Sequence, residues 1–264
     1  MRRPWTKLQF PKEHGAWAMW IVPYVMGVLT AKETRWSHLA LGVGFFLAFL
    51  GQPAVRSSLR AGRAPRSPVF WGQMLAAVPL IAIPIIQAKG MLGLFCFSAF
   101  EVGLIAGLLP WLELGQQKSV PARLLSVALL TSTALAAHIA SGTVGPASAT
   151  LYLLNFLFFA RSLFYVKAIR LPRLRTEARV EALLWSRVCL AYLAFLAGTL
   201  AMLIGLGMLA PLTSLSFLPT LVYTVVSLRR QPEHVDIRRI GVLEAIQSVL
   251  FLVIMAFLWK GPYQ

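Results

Sequence analysis

Long apolar runs, each closed by a charged residue or a proline or glycine break, recur from one end of the chain to the other. Nine of them stand out, at about 13–31, 38–55, 70–87, 90–110, 121–140, 147–165, 183–207, 209–228 and 240–259. A hydrocarbon core takes about 20 largely apolar residues of helix, and most of these runs meet that length. Backbone groups in lipid find partners only inside their own segment, so every run is predicted helical. Pro23, Pro79, Pro84 and Pro219 fall inside the runs and predict kinks, with neighbouring helices satisfying the freed carbonyls. No linker, low-complexity tract or internal repeat interrupts the pattern. The expected fold is all-α: a polytopic bundle of nine transmembrane helices forming a single domain over 1–264.

Composition agrees. Of 264 residues, 58% are hydrophobic and 13% charged, with a mean hydropathy of +0.72. A soluble domain carries about 25% charged residues. The net charge of +16 would suggest nucleic acid in a soluble protein. In a membrane protein it reads as Lys and Arg gathered in cytoplasmic loops. The basic loops also lack aromatic interleaving, so no nucleic-acid partner is expected. With the N-terminus cytoplasmic, four of the 25 basic residues, Lys32, Arg35, Lys89 and Lys260, fall outside and the other 21 inside. An odd span count then places the C-terminus outside. The N-terminus imitates a signal peptide, but Thr30-Ala31-Lys32-Glu33 is a poor cleavage site, and the segment is expected to be retained. Cys96 and Cys189 lie in apolar runs without metal-ligand spacing and read as small core residues.

The outside connections are short, whereas those at 56–68, 166–183 and 229–239 are longer and charged, so chemistry is expected at the cytoplasmic face. Four stretches there or within the spans carry it. In "PKEHGAW" (11–17), Pro11 suits a first helical turn and Glu13 the positive end of the dipole. Gly15, Ala16 and Ala18 permit close helix approach, while Lys12, Trp17 and Trp20 suit interfacial anchoring. Glu13 and His14 are not lipid anchors; they fit a wet cavity and are the candidate acid–base pair. In "LFCFSAFEVGLIAGLL", Glu101 sits at mid-span, where a lone charge costs ~3 kcal/mol or more. It is expected to face the bundle interior, as a structural hydrogen-bonding group or a proton or cation relay, with His138 a candidate partner.

In "ARSLFYVKAIRLPRLR", Lys167 and Arg170 share a helix face, with Arg161 a turn or more earlier. Guanidinium groups hold phosphate or carboxylate bidentately. Topology and anionic lipid account for Arg173, Arg175 and Arg179. They account less well for Arg161, which lies deeper. "VRSSLRAGRAPR" lines up Arg56, Arg60 and Arg63, and "IRRIGVLEAIQ" places Arg239, Glu244 and Gln247 at the entrance to the last span. A carboxylate there should pair with a basic residue of another helix. The chain has no GxxxxGK[ST] phosphate loop, no HExxH and no Ser-His-Asp spacing, and Asp236 is its one aspartate. No metal or cofactor is expected.

The opening "PKEHGAWAMW" resembles the Pro-Lys-(Glu/Gln)-His-Gly-Ala-Trp-Ala signature of the YwiC-like family of bacterial multi-spanning membrane proteins. "LFYVKAIR" and "RRIGVLE" look like that family's other marks, so the resemblance spans most of the chain. It implies the bacterial cytoplasmic (inner) membrane and no particular activity. The architecture is also similar to that of UbiA-type intramembrane prenyltransferases, with functional loops after the second and sixth spans. Those enzymes hold a prenyl diphosphate through Mg²⁺ on Asp-rich motifs. Here the corresponding stretches read "GQPAVRSSLR" and "YVKAIRLPRLR", without aspartate, so the likeness stops short of the metal site. Arginines could instead hold an anionic headgroup or diphosphate directly.

The leading expectation is therefore a cytoplasm-facing polar cavity that binds an anionic lipid or phosphate-bearing ligand, with membrane lipids, anionic or polyprenyl, as partners. Its lining would come from Lys12, Arg56, Arg161, Lys167, Arg170, Arg239 and Glu244, with Glu13 and His14 at the mouth. A proton-coupled small-solute transporter using Glu101 is the alternative; Pro79, Pro84 and Pro219 would then mark interrupted helices. A non-catalytic assembly factor for another membrane complex is a third.

Overall fold

The structure, a computed structural model, describes residues 14–60, 67–116, 119–170, 176–230 and 237–259. Among them every regular element is helical: α1 (His14–Leu29), α2 (Trp36–Arg60), α3 (Pro68–Glu113), α4 (Val120–Thr131), α5 (Thr133–Ala140), α6 (Pro146–Arg170), α7 (Thr176–Gly205), a 3₁₀ segment (Pro211–Phe217), α8 (Leu218–Arg230) and α9 (Ile237–Leu258). Among the described residues seven segments are long and apolar enough to cross a membrane, counting α4 with α5 and the 3₁₀ segment with α8. α1 is apolar but shorter. The chain is a multi-pass membrane protein.

The breaks have local causes. α3 begins at Pro68, with the Ser67 hydroxyl accepting from the Phe70 amide, and runs 46 residues. It is two arms, 68–89 and 91–113, because Gly90 leaves helical geometry at φ 67°, ψ −168°. A side chain is strained there, so glycine fits. A Cβ built on Gly93 would lie 3.9 Å from the Ile85 side chain. Eight residues of straight helix would separate them by about 12 Å, so the second arm folds back on the first. Pro79 and Pro84, where kinks are expected, both lie inside the first arm, and neither interrupts it. Pro219 is the second residue of α8, where its missing N–H costs nothing.

The run expected at 121–140 is interrupted at Ser132, between α4 and α5. Three hydroxyls there bond back to the helix: Thr131 to Val127 O at 2.8 Å, Ser132 to Leu129 O at 2.7 Å and Thr133 to Leu130 O at 3.0 Å. Such back-bonding bends helices. Thr133 also reaches the carbonyl of Trp20 on α1, at 3.1 Å.

α1 packs against α5, α9 and α4. In lipid there is no hydrophobic gain from helix contact, so association rests on close packing and hydrogen bonds. The tight approach expected at Gly15 is found at Gly27 instead. A Cβ on Gly27 would meet Ala134 O at 2.7 Å and Ala137 Cβ at 2.8 Å, whereas one on Gly15 would meet nothing within 4 Å. Gly27→Ala is therefore expected to cost about 1–3 kcal/mol, because the backbone of α5 must yield. A lowered unfolding midpoint in detergent, with Gly15→Ala unchanged, checks this.

Two sequence expectations are corrected. Trp20 is not an interfacial anchor; it is buried against Phe49, with ring centroids 5.8 Å apart. Trp17 meets the same ring edge-on at 4.9 Å, so α1 and α2 share an aromatic seam. Cys189 is buried, but Cys96 is exposed on the second arm of α3.

Candidate functional site

The polar centre of the bundle is built on Arg161 of α6, a guanidinium with 0% exposure. Its Nη2 donates to Glu244 Oε2 at 2.7 Å and to Gln247 Oε1 at 3.2 Å. Its Nη1 donates to Thr224 Oγ1 at 2.7 Å. Glu244 and Gln247 are three residues apart on α9 and so share a face. Thr220 and Thr224 stand one turn apart on α8, and each hydroxyl proton is used: Thr220 donates to Gln247 Oε1 at 2.6 Å and Thr224 to Thr220 O at 2.7 Å. Thr224 therefore meets Arg161 as an acceptor. Phe158 and Tyr165, three residues before and four after Arg161, flank the cation with ring centroids 5.7 Å from Cζ. Cys189 and Tyr192 of α7 lie within electrostatic reach of the pair. Arg161 Nε and Glu244 Oε1 are buried without a partner among the described residues.

Beside this centre, Tyr165, Ile169, Cys189, Leu228, Trp185 and Ile240 join α6, α7, α8 and α9 in one apolar cluster. The Tyr165 hydroxyl donates to that of Tyr223 at 2.8 Å. Cations adjoin its members along the chain. Lys167 Nζ sits 3.7 Å from the Trp185 ring centroid, while Arg229 and Arg230 at the end of α8 and Arg239 at the start of α9 are exposed. The α8 arginines also meet the negative end of that helix's dipole.

The sequence candidates thus separate. Arg161, Glu244 and Gln247 come together, and the partner expected for Glu244 from another helix is Arg161. Lys167 lies at the same end of the bundle but turns to α7. Arg239 is exposed. Lys12 and Glu13 lie outside the described residues, as do the side chains of His14, Arg56 and Arg170. Sequence reasoning passed over Thr220 and Thr224. Their one signal is two hydroxyls four residues apart in the apolar run "TLVYT".

Glu101 is elsewhere, on the second arm of α3. Ser132 lies close to its carboxyl group, whose Oε1 is buried without a hydrogen-bond partner among the described residues. His138 does not fill the role suggested for it. Its Nε2 is 2.9 Å from Thr30 Oγ1 and its Nδ1 3.1 Å from Ser148 Oγ. His38 is likewise engaged, with Nε2 3.1 Å from Ala137 O. Among the described residues no group of three or more His, Cys, Asp or Glu is placed to hold a metal ion.

Residues 10–138 match the family model described as YwiC-like protein. The likeness is to the YwiC-like family. It continues beyond the matched region: YwiC of Bacillus subtilis (strain 168) is 25% identical over 263 residues, covering 94% of this chain and 97% of that protein. No solved structure matches. The match runs from α1 into α5, with Glu101, Ser132 and His138, while Arg161 and Glu244 lie past its end.

Proposed function

We propose that this YwiC-like protein crosses the bacterial cytoplasmic membrane nine times, N-terminus inside and C-terminus outside, and binds an anionic lipid or phosphate-bearing ligand at its basic end. The nine crossings are the seven long segments, with the arms of α3 counted separately, and α1. The positive-inside rule then assigns the end carrying Lys167, Arg229, Arg230 and Arg239 to the cytoplasm. What supports the reading is that each of these cations is next, or next but one, in sequence to a member of one apolar cluster drawn from four helices. Lys167 and the arginines neutralise the headgroup, and the adjoining apolar surface takes the tail. Arg161 contributes less pull than a free cation, because Glu244 already neutralises it; the pair forms a polar floor beneath the ligand. On this reading the plan is UbiA-like, with arginine in the stretches 51–60 and 165–175 that correspond to the aspartate motifs of those enzymes, so the ligand is held directly.

Native mass spectrometry with lipidomics on the purified protein tests this, beside Lys167→Ala/Arg239→Ala. Each cation near a lipid surface contributes about 1 kcal/mol, so losing two should lower retention about thirty-fold. Identical bulk lipid on both proteins would leave these cations as topology signals alone.

A further inference from the structure

Glu244 holds Arg161 with only half of its carboxylate. A guanidinium and a carboxylate can meet through two parallel N–H···O bonds. Here Oε2 alone is engaged, 2.7 Å from Nη2. Glu244 Oε1 and Arg161 Nε are both buried without a partner among the described residues. The other two acceptors, Thr224 Oγ1 and Gln247 Oε1, are neutral. The ion pair therefore rests on a single hydrogen bond.

Position matters as much. α9 starts at Ile237, at the basic end, so Glu244 is nearer that end than Gln247 one turn deeper. On α6, Tyr165 lies on the same side of Arg161 and Phe158 on the other. The cation is thus covered by Glu244 and Tyr165 toward the basic end, and backed by Gln247 and Phe158. Three of these four residues are buried, whereas the Glu244 side chain is 17% exposed. The contact that carries the charge is also the one nearest the surface.

We infer that Glu244 is a latch: its carboxylate occupies Arg161 until a phosphate group of the ligand takes its place, gripping Nε as well as Nη2. This latch presupposes the anionic-ligand reading above, and adds an internal competitor to it. No covalent bond changes. Two phosphate oxygens replace one carboxylate oxygen, and the released carboxylate turns to water at the basic end. A phosphate monoester suits the exchange, because its charge of about −2 exceeds that of the group it displaces.

Calorimetric titration of the full-length protein in detergent with short-chain phosphatidate, and separately with inorganic phosphate, tests it. Apparent affinity falls with the fraction of protein in the competent form, and a minor form is populated at about 10% or less. Glu244→Gln, which leaves Arg161 uncontested, should therefore bind phosphatidate at least about tenfold more tightly than wild type. Adding Arg161→Met should cancel the gain. Glu244→Asp keeps the charge but withdraws it by one methylene, and should also bind more tightly. Wild-type affinity in Glu244→Gln, or a gain that survives Arg161→Met, would overturn the latch. If phosphatidate binding is then still lost in Lys167→Ala/Arg239→Ala, the basic end stands without it. No binding by any of these proteins overturns the latch and the ligand reading together. With the gain in hand, equal preference for inorganic phosphate makes the ligand a soluble phosphate, and preference for phosphatidate makes it a lipid; both support the latch. Should Glu244→Gln fail to fold, Glu244→Asp decides: unchanged affinity overturns the proposal.

Discussion

Glu244→Ala is expected to destabilise the folded protein by about 3–5 kcal/mol, the cost of leaving a buried cation without its partner. Arg161 has 0% exposure, and the carboxylate that sits 2.7 Å from its Nη2 is its charged partner, with a side chain only 17% exposed. Thr224 and Gln247 would remain as neutral acceptors and hold the guanidinium without balancing its charge. Glu244→Gln keeps an acceptor in place and should cost less than the alanine. Removing both charges is a different experiment. An apolar pair of similar volume, Arg161→Met/Glu244→Met, should recover most of the loss, because two desolvated ions disappear together. Detergent-induced unfolding of Arg161→Met, Glu244→Met and the double variant closes the cycle. Additive losses, with no coupling between positions 161 and 244, would contradict a buried pair. The cost should fall toward the low end of the range, since an unfolded helix in lipid also finds partners.

Phe158→Ala should be the other severe substitution, at about 3 kcal/mol. Phe158 is 1% exposed and stacks on Phe251 of α9 with ring centroids 4.1 Å apart. It also meets Phe217 edge-on at 6.2 Å, so one ring ties α6 to α9 and to the 3₁₀ segment. Removal leaves a cavity rather than a surface exposed to water. The loss is therefore contact energy, and Phe158→Leu should restore a large part of it. Because the same ring lies against the guanidinium, Phe158→Ala and Glu244→Ala should be non-additive. Unfolding midpoints of the three proteins measure this; strict additivity would place the ring outside Arg161's environment.

Both effects turn on pairings that no single segment reveals. Helix formation in lipid is a local matter, because each segment must satisfy its own backbone. Apolar length therefore marked the helices, and the expected runs at 70–87 and 90–110 fall on the two arms of α3. The breaks were less legible. Four prolines drew attention, yet the sharp turn sits at Gly90, and the α4–α5 break carries the hydroxyl run Thr131-Ser132-Thr133. The residues at the centre were legible as anomalies. Arg161, Glu244 and Glu101 are charges that an apolar run should not carry without compensation.

The sequence by itself thus determined an all-helical membrane protein and named the charges in need of partners. Only the tertiary structure decided that Arg161 meets Glu244 across 83 residues while His138 turns to Thr30. The reason is physical. A helix's existence follows from its own backbone, but the direction each side chain faces depends on how the helix is rotated against its neighbours. That rotation is set by contacts such as Gly27 on Ala134 and Phe158 on Phe251, which belong to pairs of distant segments.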